Sequence, residues 1–137
     1  MLQLVYISTS RAPSISDDLL NSVLTVSRRN NAAAGISGLL VAGGRRFLQA
    51  LEGPRDVVEA TYERIKLDGR HFAFVELARR PIETPEFGAW AMAFKPGDDA
   101  DPGAALRHAV DKLTGNLPDP NVRALFTGFA ELHSQAA

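Results

Sequence analysis

Cysteine is absent from the 137 residues, which excludes disulfides, thiolate catalysis and cysteine-ligated zinc or iron–sulfur sites. Histidine is scarce. His71, His108 and His133 are the only three, too scattered for the ligand spacings that metal sites use, so no metal is expected. An excess of either charge is also missing. Lys and Arg number 15 against 16 Asp and Glu, a formal net charge of −1, and no long-range field exists to draw in nucleic acid or an anionic membrane. No apolar run approaches a bilayer span, and Met1 leads straight into a strand-like segment instead of a basic-then-apolar signal. A cytoplasmic protein with neither nucleic-acid nor membrane partners is the expectation. Hydrophobic residues at 45% and charged ones at 23% suit one globular domain with a real core and room for an appendage.

What is present is an apolar chain with amides where apolar side chains belong. Leu2, Leu4, Tyr6 and Ser8 alternate with Gln3, Val5 and Ile7 at the period of a strand. Ser14, Ser16 and the Asp17-Asp18 pair supply capping oxygens and negative charge for a helix start. Leu20, Val23, Leu24, Ser27 and Asn31 then recur at i, i+3, i+4, i+7 and i+11 on one helix face, with Arg28, Arg29 and Asn30 near its end. Asn31 on its own suits a helix C-cap. Residues 35–42 read as a strand, Gly43-Gly44 as a tight turn and residues 45–52 as the returning strand. That register sets Leu40 against Phe47, Gly38 against Gln49 and Ile36 against Leu51, with Leu39, Val41, Leu48 and Ala50 on the opposite face. Both faces are apolar and each needs a cover. Gln49 lies inside a hydrophobic strand, and Gly38 would leave an opening beside it for a ring passing close to the sheet. A bulge glycine beside a locally satisfied glutamine is the competing reading. Two amides, Asn31 and Gln49, aimed at one apolar space point to a flat ligand with a polar edge.

Gly53-Pro54 opens a second helix with proline at its first position; Val58, Thr61, Tyr62 and Ile65 form its inward stripe and Gly69 its stop. Asp68, Arg70 and His71 cluster beyond it, either as a solvated turn or as a hold for an anionic or polyol group. Further strands are predicted over 72–78 and 89–95, the latter with Trp90, Met92 and Phe94 on one face. The order strand–helix–strand–strand–helix–strand–strand defines an α+β class: a ferredoxin-like five-stranded mixed sheet with two helices on one face. Asn31, Gln49 and Ile65 would converge on the space between those helices. After Pro96 an acidic linker leads to Leu106, Ala109, Val110 and Leu113, then to Val122, Leu125, Phe126, Phe129 and Leu132. These are the apolar stripes of two C-terminal helices, expected to cover the other sheet face or to serve a dimer. The expected division is a ligand-binding domain over 1–96 and a linker with two helices over 97–137.

Taken together, these elements resemble the BLUF family, flavin-binding sensors of blue light, over residues 1–95. The resemblance rests on Leu4-Val5-Tyr6-x-Ser8, Ser27-Arg28-x-Asn30-Asn31, Gly35-Ile36-Ser37-Gly38-Leu39-Leu40 and Phe47-Leu48-Gln49-x-Leu51-Glu52-Gly53. Tyr62-x-x-Ile65, Asp68-x-Arg70-His71 and Phe87-x-x-Trp90-x-Met92 complete it. No single motif is specific; their joint order and spacing is. Ser37 departs from the commoner threonine, and Pro85-Glu86 stands where family members often carry arginine.

The resemblance implies a blue-light photoreceptor binding FAD non-covalently, with the isoalloxazine ring between the two helices. It implies cofactor-binding roles for Ser27, Asn30, Asn31, Ile36, Phe47, Gln49, Ile65, Asp68, Arg70 and His71. Asn31 would meet the pyrimidine edge, Ile36 and Ile65 would pack near the ring, and Asp68, Arg70 and His71 would lie toward the ribityl and phosphate portion. Tyr6 and Gln49 would form the photoactive pair. In the family mechanism light drives electron transfer from the tyrosine, and the proton is relayed through the glutamine. The glutamine amide then rearranges by rotation or tautomerisation, donates a new hydrogen bond to the flavin carbonyl, and shifts absorption to the red. Trp90 and Met92 would respond in the last strand and pass the change to the sheet. The lack of cysteine excludes a cysteinyl–flavin adduct. The expected protein is a short stand-alone sensor without enzyme activity, a homo-oligomer that signals through its C-terminal helices to a separate downstream protein. On the residues alone, two other classes stay open. One is a ferredoxin-like small-molecule-binding regulatory module without photochemistry, the other an acylphosphatase-like hydrolase.

Overall fold

A computed structural model of the chain describes residues 1–12, 15, 18–19, 21–23, 25, 29, 34–87, 107, 110–112 and 114–135. The alternating segments form strands β1 (Leu2–Ser10), β2 (Ser37–Gly43), β3 (Arg46–Gly53) and β4 (His71–Pro81). They build one sheet in the order β2-β3-β1-β4, and every described pairing is antiparallel. This is an α+β arrangement of the ferredoxin-like kind. The strand expected over 89–95, and any parallel pairing it would add, lies outside the described residues.

The β2–β3 hairpin corrects the expected register. Its loop is Gly44-Arg45, so Gly43 pairs with Arg46, Leu40 with Gln49 and Gly38 with Leu51. Gly44 takes φ 59°, the positive value that the first position of a type II′ loop demands. With two adjacent glycines the chain can turn at either, and the slip of one cross-strand pair keeps every side chain on its expected face because the side-chain period is two. The opening expected at Gly38 therefore lies beside Leu51, not directly across from Gln49.

Helix α1 (Arg55–Lys66) starts one residue later than expected. Pro54 is its N-cap, and Asp56 in the first turn with Arg64 and Lys66 in the last complement its dipole. Gly53 admits this sharp strand-to-helix junction by being bare: a Cβ there would sit 2.9 Å from Ile36 Cδ1 and 3.2 Å from the Gly35 carbonyl oxygen. Between β1 and β2 every described residue from Asp18 to Ala34 is helical. Gly35, at φ 74°, is the left-handed stop. Ala34 is helical and Gly35 follows it as the turn; Asn31, which suits a C-cap by sequence, lies outside the described residues.

The two sheet faces have separate cores. On one, Leu2, Leu4, Tyr6 and Leu51 pack with Ile36 and with Val58 and Tyr62 of α1, and Leu40, Ala42 and Phe47 pack with Ile15 and Val23. On the other, Val5, Leu39, Val41, Leu48 and Ala50 are covered by Val110 and by Val122, Phe126, Phe129 and Ala130 of α2 (Pro120–Gln135). Strand β4 lies at a sheet edge and is longer than the predicted 72–78. Its pairing with β1 slips twice, between Val5 and Tyr6 and between Ile7 and Thr9. Ala73 sits near the second slip at φ 55°, so β4 bulges and its burial loses the two-residue period. Among the described residues no helix is long and apolar enough to cross a membrane.

Candidate functional site

Tyr6 stands in the middle of β1, on the face that α1 covers, with Gln49 of β3 as its direct cross-strand partner and Glu76 of β4 on the other side. Both members of the Tyr6–Gln49 pair are buried, at 0% and 4% exposure, and the phenol Oη donates a hydrogen bond to Gln49 Oε1. That bond settles how the amide points. Gln49 Nε2 is turned away from Tyr6 and is buried with no partner among the described residues. An orphaned buried donor costs about 1–3 kcal/mol, so such an atom marks a place where an acceptor belongs.

Aromatic packing holds the phenol still. Its ring centroid is 4.8 Å from that of Tyr62 on α1 and 5.8 Å from that of Phe74 on β4. Burial above all, with Tyr62 and Asp68 adding to it, pushes the Tyr6 phenol well above its ordinary 10.0. Tyr6 is therefore a neutral donor at any physiological pH.

Further along the same face, His71 is buried with Nδ1 2.8 Å from Ser8 Oγ. Its ring lies edge-on to Phe74 at 4.6 Å and to Phe47 at 5.7 Å. Burial lowers its pKa from 6.5, and the nearby Arg70 adds to this while Asp68 opposes it, so the imidazole is neutral. Arg70 and Asp68 form their own pair at the turn after α1. Arg70 Nε donates to both carboxylate oxygens at 3.0 Å, its backbone N–H donates to Asp68 Oδ1 at 3.0 Å, and NH1 reaches Ser22 Oγ at 3.1 Å. The hydrogen-bonded guanidinium holds the Asp68 carboxyl below its usual 3.8.

The structure thus brings Tyr6, Gln49, Ile36, Phe47 and His71 onto one sheet face, with the half-buried Ile65 at its rim. Asp68 and Arg70 sit at the neighbouring turn, joined to the helical segment that carries Ser22. Ser27, Asn30, Asn31, Trp90 and Met92 lie outside the described residues. Sequence reasoning missed the Ser8–His71 contact and the role of Phe74 as the third ring around Tyr6. Ser8 was visible as a polar residue on an apolar strand face, but its partner lies 63 positions away.

On an antiparallel α+β sheet, a buried phenol–amide pair thus leaves one donor without an acceptor among the described residues. The sequence model of the family "Sensors of blue-light using FAD" matches residues 1–93, and the chain belongs to that family, BLUF. It is 33% identical over 90 residues to photoactivated adenylate cyclase subunit beta of Euglena longa, covering 65% of this chain and 10% of that one. It is 34% identical over 73 residues to the blue light- and temperature-regulated antirepressor BluF of Escherichia coli (strain K12), covering 53% of this chain and 18% of the relative. Among solved structures it resembles the dark state of the BLUF protein BlrB, at 27% identity and a TM-score of 0.70 over 94% of each chain. The chain therefore spans from a tenth to under a fifth of these curated relatives' own lengths. The family's defining cofactor is FAD, and the unfilled Gln49 Nε2 donor fits it.

Proposed function

We propose that this chain reports blue light through FAD held non-covalently over the Tyr6–Gln49 face, with Tyr6 and Gln49 as the reacting pair. One observation carries the reading: the Tyr6 hydroxyl is committed to Gln49 Oε1 while Gln49 Nε2 is buried with no partner among the described residues. When bound, FAD supplies the blue-absorbing chromophore and, once excited, the electron acceptor. The chain's own part follows from side-chain chemistry. Tyr6 is an oxidisable phenol whose proton already points at an acceptor, so its loss of an electron and of a proton are linked through Gln49 Oε1. An amide has an acceptor end and a donor end of nearly equal shape. Rotation or tautomerisation of Gln49 therefore inverts the hydrogen-bond pattern it offers to both sides without repacking the core. Burial makes each pattern costly to leave half-satisfied, which gives two discrete states and not a continuum.

In this reading Ile36, Ile65 and Phe47 supply apolar contact for the ring, and Ser27, Asn30 and Asn31 supply amide and hydroxyl groups for its polar edge. Because Arg70 is already paired with Asp68, it serves the ribityl and phosphate portion as half of a neutral pair, with His71 beside it, rather than as a bare cation. Residues 1–96 form the sensor and 97–137 its output segment; a fifth strand carrying Trp90 and Met92 makes the sheet mixed. Two helices lie on the cofactor face and two C-terminal helices on the other. The chain works in the cytoplasm as a homo-oligomer and hands its signal to a separate protein, with no enzyme activity in the sensor itself. Absorption and reconstitution test the cofactor. The purified protein should be yellow or take up added FAD with a flavin spectrum, and a colourless protein that binds none contradicts the proposal.

A further inference from the structure

On the sheet face away from Tyr6, a polar network runs through an otherwise apolar layer. Gln3 and Glu52 are direct cross-strand partners and both are 0% exposed. The Glu52 carboxylate accepts from Gln3 Nε2 at 2.8 Å and from the backbone N–H groups of Glu86 at 2.9 Å and Phe87 at 2.8 Å. Gln3 Nε2 also reaches Glu86 Oε1 at 3.0 Å, and its Oε1 accepts from Arg80 NH1 at 2.8 Å. Arg80 pairs with Glu86 and, through Nε at 3.2 Å, with Asp119 Oδ2. Asp119 in turn caps α2, its Oδ1 accepting from the N–H of Asn121 at 2.8 Å and of Val122 at 3.3 Å. Phe87 packs on Phe126 of α2 with centroids 5.5 Å apart.

A fully buried carboxylate is expensive unless its oxygens are filled, and here the segment entering residues 88–95 fills them with two main-chain donors. Glu52 follows Gln49 by three positions in one rigid strand, with its side chain on the opposite face. We propose that Glu52 is a positioning residue that couples the photoactive strand to α2, by clamping the 86–87 backbone directly and the α2 N-terminus through Gln3, Arg80 and Asp119. A shift of β3 relative to the 86–87 segment breaks or shortens bonds at Glu52. The Arg80–Asp119 contact then carries that shift to the cap of α2, and the Phe87–Phe126 contact carries it to the helix body. This coupling rests on the light-sensing reading above.

The test is amide hydrogen exchange on the full FAD-loaded chain, dark and under blue light, reading 82–87 and 120–126, with the absorption shift recorded on the same samples. In the wild type, illumination changes exchange in both segments. Glu52→Gln keeps the red shift and loses the light response of both, and in the dark its Glu86 and Phe87 amides exchange roughly tenfold faster or more, as loss of hydrogen bonds to a charged acceptor implies. Arg80→Gln, which leaves the buried clamp in place, keeps the response at 82–87 and weakens that at 120–126; it carries the test by itself if Glu52→Gln does not fold. A light response at 120–126 undiminished in Arg80→Gln and in a folded Glu52→Gln overturns the coupling, as does a wild type that shifts its absorption without any change in either segment. A wild type with no red shift overturns instead the functional reading beneath it.

Discussion

Replacing Tyr6 with Phe removes one oxygen atom and leaves the ring against Tyr62 and Phe74. Gln49 Oε1 then loses its donor inside a site with 4% exposure of the glutamine. An acceptor stranded in this way costs about 1–3 kcal/mol, and at this chain length that lowers Tm by roughly 3–15 °C. Gln49→Leu strands the Tyr6 hydroxyl instead, with a cost of the same order. In the double variant both ends are apolar, and the loss should fall short of the sum of the single losses by about 1–3 kcal/mol. Thermal or denaturant unfolding of the four FAD-loaded proteins, at one fixed excess of cofactor, measures this coupling. Losses that add to within about 0.5 kcal/mol would mean that the two side chains do not interact, and the reacting pair would have to be sought elsewhere.

Two other consequences are independent of light. Phe126 is fully buried between α2 and the sheet, so Phe126→Ala should cost about 3–5 kcal/mol in unfolding experiments; a loss below about 1 kcal/mol would deny that α2 covers that face. Burial holds His71 below 6.5, so as the pH falls the unfolded chain takes up its proton first. The stability His71 allows is then complete above 6.5 and declines as the pH drops from there toward the folded-state value. His71→Gln should flatten the fall in Tm between about pH 7 and about pH 5 relative to the wild type, and an unchanged slope would show that His71 is not held neutral.

Much of this was legible in the residues. The alternation of Leu2, Leu4 and Tyr6 against Gln3 and Val5 sorted β1 onto its two faces correctly, because burial selects side chains at the strand period. Gln49 stood out as an amide inside an apolar strand, and its Nε2 is, with Ser37 Oγ, a buried side-chain donor that has no partner among the described residues. What adjacent residues leave degenerate was not legible: Gly43 and Gly44 both permit a turn, and the hairpin closes at Gly44-Arg45. The bulges of β4 were hidden for another reason, since Ala73 carries no sign of the left-handed backbone it adopts. Long-range pairs form a third class. Gln3 and Glu52 were not singled out, because only the placing of β1 beside β3 turns them into one network, and local pattern does not contain that placing. The Tyr6–Gln49 contact was reached by resemblance to the family, because nothing in either strand alone selects the other.

The most direct test of the central claim is the light-minus-dark absorption spectrum of the FAD-loaded protein, recorded for the wild type and for Gln49→Leu. A small red shift that reverses in the dark, present in the wild type and missing from Gln49→Leu while the flavin stays bound, is the predicted result. A wild type that does not shift, or a Gln49→Leu protein that shifts undiminished, would contradict it.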